Sequence, residues 1–159
     1  VLGEKGEKPL ICIGVNPSTA EPDKLDPTLK RVKSFAERLG YDGWLMLNLY
    51  PLRATNPNNL PESLTPWLCR QNEKWICRYL GSARIRQQTI WAAWGTLIEK
   101  RNWLKDCLHN IVRQGSIGNH KWVTIGKRSK TGHPHHPLYL PANAEMLEFN
   151  IENYLDAIW

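Results

Sequence analysis

Two asparagines, a glycine turn and a histidine cluster are the residues here whose types and spacing could do chemistry. Asn16 follows the apolar run Leu10-Ile11-Cys12-Ile13-Gly14-Val15 and precedes Pro17 and Ser18. Asn48 ends the run Trp44-Leu45-Met46-Leu47. Trp94-Gly95 follows Ile90-Trp91-Ala92-Ala93. His133-Pro134-His135-His136-Pro137-Leu138 comes after Trp122-Val123-Thr124-Ile125 and a basic loop. A short polar side chain on a rigid strand tip can position a water. An amide offers donor and acceptor together, the bidentate pattern that reads a base edge. An imidazole can donate to developing negative charge. Each feature also has a structural reading: Asn16 and Ser18 as turn residues bonded to nearby backbone, and Asn48 satisfied by backbone groups.

The loop Lys127-Arg128-Ser129-Lys130-Thr131-Gly132 combines cations, hydroxyls and a glycine, a composition suited to phosphate contacts or to a solvated surface. The net charge of +6 points the same way, towards an anionic partner such as nucleic acid. Cys12, Cys69, Cys77 and Cys107 form no C-x-x-C pair. No carboxylate or cysteine set stands at ligand spacing beside the histidines, so neither a metal nor another cofactor is expected. No signal peptide or spanning run is visible, which makes a reducing cytoplasm the expected setting and excludes a membrane role. A start at Val1 suggests trimming at the N-terminus.

These residues need a scaffold, and the punctuation supplies one. Asp26 is a good N-cap, Pro27 fits the first helical position, and Gly40 closes a helix striped with Leu29, Val32, Phe35, Ala36 and Leu39. A second helix runs from Thr65-Pro66 to Gly81, with Leu68, Trp75, Ile76 and Tyr79 expected inward. A third spans about 96–112 and a fourth about 142–158. The segment Gly3–Lys8 reads as a flexible start or a hairpin, and 53–65 as an irregular excursion. The order βαβαβαβα predicts a mainly parallel sheet covered by helices, in one domain over 1–159. Ligands bind such sheets beyond the carboxyl ends of the strands, so the polar residues above converge on one cleft.

Four segments together resemble a known superfamily. Gly14-Val15-Asn16-Pro17 resembles the first active-site motif of the uracil-DNA glycosylases, in their mismatch-specific thymine/uracil branch. Leu45-Met46-Leu47-Asn48 resembles the strand whose asparagine reads uracil, Trp94-Gly95 stands where that superfamily carries a similar turn, and the His-Pro turn with Leu138 resembles its second motif. Asn16-Pro17-Ser18-Thr19-Ala20, with His136-Pro137-Leu138-Tyr139-Leu140-Pro141 later, also resembles DUF1643, a family of uncharacterised bacterial domains.

The resemblance implies a three-layer αβα sandwich with a central four-stranded, mainly parallel sheet. It implies a monomeric, monofunctional DNA N-glycosylase that flips out a pyrimidine and leaves an abasic site. Asn16 would position the water, Asn48 would read the base, and His133 or His136 would stabilise the departing base. Leu138 would wedge into the stack. Ser18, Thr19, Lys127, Arg128, Ser129 and Lys130 would line the DNA path.

This chain departs from the superfamily's pattern in places. Asn16 replaces the aspartate of the most efficient uracil enzymes, with Asp26 as a fallback for the water. The histidine turn has an extra residue: both His133 and His136 precede a proline, and His133 is the slightly nearer match. Ser18 stands where a tyrosine would exclude a C5 group, so a 5-substituted pyrimidine, such as those of decorated phage DNA, would fit. A non-catalytic binder of modified bases or nucleotides and a nucleoside hydrolase are the alternatives.

Overall fold

The computed structural model describes residues 2–17, 24–53, 56–82, 85–115 and 117–158. In chain order the strands are β1 (Leu2–Glu4), β2 (Pro9–Gly14), β3 (Gly43–Asn48), β4 (Thr89–Ala92), β5 (Lys121–Ile125) and β6 (Met146–Glu148). The α-helices are α1 (Pro27–Arg38), α2 (Pro66–Leu80), α3 (Asn102–Val112) and α4 (Ile151–Ile158). The protein is thus mixed α/β, with a six-stranded sheet of order β1-β3-β2-β4-β5-β6. β3, β2, β4 and β5 run parallel, and β1 and β6 add antiparallel edges.

The four apolar runs become the four interior strands. Successive side chains leave a strand on opposite faces, so β2 divides between two cores. Ile11 and Ile13 pack with α2, α3 and α4, through residues such as Ile76, Leu108 and Tyr154. Leu10 and Cys12 pack with Leu29, Val32 and Phe35 of α1. Runs apolar on both faces mark a parallel sheet buried on both sides. α1 starts as expected: Asp26 Oδ1 accepts from Leu29 N at 2.8 Å, and Pro27 follows.

Several expectations fail for local reasons. The sheet has six strands rather than four, because three-residue edges are too short to show a period. The start of the segment expected as a flexible start or a hairpin is instead part of an edge strand, β1, paired antiparallel with β3. Within 96–112, a 3-10 stretch (Gly95–Lys100) precedes α3. The fourth helix begins only at Ile151, where Asn150 caps it by accepting from Asn153 N at 2.9 Å, and Leu147 lies on β6. Trp75 and Tyr79 of α2 face outward, not inward. Among the described residues no helix is long and apolar enough to cross a membrane.

Candidate functional site at the strand ends

β3, β2 and β4 end side by side. Gly14 pairs with Asn48, and Ala93 N donates to the Ile13 carbonyl at 3.0 Å. Pairing continues past the strands, with Leu49 N on the Gly14 carbonyl and Tyr50 N on the Val15 carbonyl, both at 2.9 Å. Asn16, Asn48 and Gly95 therefore share one end of the sheet.

Asn48 follows Trp44 and Met46 in the pleat and so lies on the α1 face. Its Oδ1 is buried and accepts no hydrogen bond among the described residues. Gly14 makes room for it: a Cβ there would lie 3.2 Å from Asn48 Oδ1 and 2.7 Å from Met46 Cε. Asn72 of α2 fixes the strand end, its Nδ2 donating to the carbonyls of Asn48 at 2.7 Å and Leu49 at 3.2 Å. An unpaired buried acceptor costs about 1–3 kcal/mol, and a ligand donor would relieve that cost. Asn16, half-buried, donates from Nδ2 to the carbonyls of Pro17 and Leu52, each at 3.2 Å, tying the β2 turn to the β3 exit.

The two candidate histidines have different fates. His133 is 2% exposed, and both its ring nitrogens are engaged. An indole N–H only donates, so Trp94 Nε1 donates to the Tyr154 hydroxyl at 2.9 Å. That hydroxyl turns its own proton to His133 Nδ1 at 2.7 Å, and His133 Nε2 donates to Glu99 Oε1 at 2.9 Å. Lys105 Nζ closes the chain 3.3 Å from Glu99 Oε2. Burial would raise the Glu99 pKa, but hydrogen bonds from His133 and Lys105 outweigh it and hold the carboxyl below its ordinary range.

His136 is half-buried and packs on Gly95, where a Cβ would come within 3.2 Å of the histidine Cβ. Gly95 has φ +62°, which also favours glycine. His136 Nδ1 accepts from Leu138 N at 3.2 Å, which leaves the ring proton on Nε2 as a donor. Burial lowers the His136 pKa below the usual value, with the Asp26 charge opposing. Arg31 of α1 anchors this turn, donating from Nε to the Pro137 carbonyl at 3.1 Å and from Nη2 to the Leu140 carbonyl. The segment thus crosses the strand ends from the Tyr154 core to the α1 core, carrying His136 towards the face where Asn48 lies.

The basic loop divides in use. Lys127, Arg128 and Lys130 are exposed, with the Arg128 guanidinium 5.9 Å from the Phe149 ring centre. Ser129 closes the loop on itself, its hydroxyl accepting from His133 N at 3.1 Å and meeting Thr131 Oγ1 at 3.1 Å. Leu138 is 44% exposed and Tyr139 beside it 79%. Ser18 and Thr19 lie outside the described residues.

Sequence reasoning gave no role to Asn72, Glu99 or Tyr154, named Gly14 and Tyr139 only as parts of motifs, and missed a basic recess on α1. There Lys30, Arg31, Ser34 and Arg38 line about 150 Å³ with Phe35 and Ala142. Apart from those two motifs, only the recess had a signal, the cationic row opposite the apolar stripe of α1.

Fold and site together define an α/β domain that gathers polar side chains at the carboxyl ends of parallel strands. The chain belongs to the family described as Protein of unknown function (DUF1643), which matches residues 2–138. That span takes in Asn16, Asn48, Gly95, His133 and His136, and ends before Tyr154 and α4. No curated protein and no solved structure matches the chain.

Proposed function

We propose that this protein is a DNA glycosylase of the uracil-DNA glycosylase type, excising a pyrimidine from DNA. The carrying observation is the buried Oδ1 of Asn48 over Gly14, unpartnered among the described residues. An amide oxygen there would accept the imide N–H of a flipped uracil-like base. The same amide's nitrogen would donate to the neighbouring base oxygen. His136 is the better histidine for the departing base: its Nε2 proton can donate, whereas both nitrogens of His133 are engaged. Donation to charge that develops only in the transition state accelerates the reaction. Asn16 would orient the attacking water without deprotonating it: the N-glycosidic bond breaks first, the base leaves as an anion, and the water that then bonds to the sugar carbon gives its proton to that anion. Lys127, Arg128, Lys130 and the α1 recess would hold phosphates, with Leu138 and Tyr139 as the wedge. Ser18 leaves the reading of a 5-substituted substrate, including modified phage DNA, resting on the sequence.

The test is excision from oligonucleotides carrying uracil or 5-substituted pyrimidines, scored as alkali-labile sites. Wild type should generate sites. Asn16→Ala should abolish turnover with binding largely kept, because binding rests on phosphate contacts. No cleavage of any pyrimidine by wild type would refute catalysis. Retained binding of one modified base, lost in Asn48→Ala, would then support the second reading, a non-catalytic binder. What favours that reading is the lack of a carboxylate at position 16.

A further inference from the structure

We infer that the exposed face of α2 is a docking surface for single-stranded nucleic acid, a role that does not require the cleft to be catalytic. α2 buries Cys69, Ile76 and Leu80. Its outer side carries Trp67, Gln71, Trp75 and Tyr79 at four-residue spacing, one row along the helix. Arg70, Lys74 and Arg78 form an adjacent row with the same spacing. Trp67 is 59% exposed, Trp75 49% and Tyr79 40%. Exposed large aromatics gathered on one face mark a binding surface rather than ordinary surface scatter. The Arg78 guanidinium already lies 4.7 Å from the Trp75 ring centre, so cation and π face act together.

Charge selects the occupant. α2 has one carboxylate, Glu73, which is half-buried and hydrogen-bonded to Asn110. The outward face is therefore cationic on a chain of net charge +6. A second copy would set these cations against each other. Unpaired bases, by contrast, stack on aromatic rings while their phosphates meet the neighbouring cations. Trp67 and Trp75 are about 12 Å apart along the axis, far enough to hold separate bases.

The experiment measures binding of the whole chain to labelled oligothymidylate, oligouridylate, a duplex, polyphosphate and phosphatidylserine vesicles. The expected result is oligonucleotide binding with quenched tryptophan emission. The Trp67→Ala/Trp75→Ala variant should weaken it about tenfold or more and leave polyphosphate binding unchanged. The Lys74→Gln/Arg78→Gln variant should reduce the salt slope by about 1.4 units for a single strand. The thymidylate and uridylate arms decide between DNA and RNA. Equal loss on polyphosphate, vesicle binding as the only interaction lost, or self-association of wild type abolished by the tryptophan variant would each overturn the inference. Circular dichroism and the urea midpoint verify that both variants, confined to exposed residues, remain folded.

Discussion

Tyr154→Phe tests the chain of hydrogen bonds that holds the histidine segment. The substitution removes one oxygen and leaves the ring in place among Trp94, Phe149 and His133. Two partners are orphaned at once: Trp94 Nε1, fully buried, loses its acceptor at 2.9 Å, and His133 Nδ1 loses its donor at 2.7 Å. Each unsatisfied buried group costs about 1–3 kcal/mol, so the variant should lose roughly 2–6 kcal/mol. At about 2–4 °C per kcal/mol for a domain near this size, Tm should fall by roughly 4–24 °C. Urea unfolding followed by fluorescence gives the free energy, and calorimetry gives Tm. Tyr41→Phe is the matched control. Among the described residues its half-buried hydroxyl donates to Met146 Sδ at 3.6 Å, a weak acceptor, so its loss should stay below about 1 kcal/mol. The reasoning fails if Tyr154→Phe costs no more than Tyr41→Phe, because the hydroxyl would then not be the link between indole and imidazole.

Gly14→Ala should cost about 1 kcal/mol or less, because the flexible end of Met46 can move aside, yet it should displace Asn48 Oδ1 and cut base excision about tenfold or more; unchanged excision would remove Asn48 from the pocket. Burial holds the folded-state pKa of His136 below its usual 6.5, so the unfolded chain binds more protons between the two values and stability rises with pH there. That stabilisation is present above pH 6.5 and is lost as pH falls through the folded-state value; His136→Asn should flatten the acidic limb of a stability–pH curve, while an unaltered limb would contradict the burial argument. Neutralising Lys127, Arg128 and Lys130 to glutamine should weaken duplex binding at all sequences and reduce the salt slope by up to about 2.7 units. A constant slope would mean the loop is solvated surface.

Local pattern by itself determined the interior strands, the start of α1 and the idea that polar residues meet beyond strand ends. Asp26-Pro27 and the two-sided apolar runs are short-range signals, and parallel βα units leave few ways to arrange them. The DUF1643 wording is likewise carried by the chain alone. Tertiary structure decided what depends on distant partners. β1 and β6 exist as strands because an edge needs pairing, which three residues cannot announce. His133 and His136 look alike in sequence, yet Tyr154 and Glu99 engage one ring while Gly95 and Asp26 face the other. Asn48 read equally well as a satisfied core amide until Gly14 brought no donor to its Oδ1. Likewise helical period separates the two faces of α2, but only packing shows that Ile76 is covered and Trp75 is not. Period records geometry within one element, whereas burial and hydrogen-bond partners are set by which other elements arrive beside it.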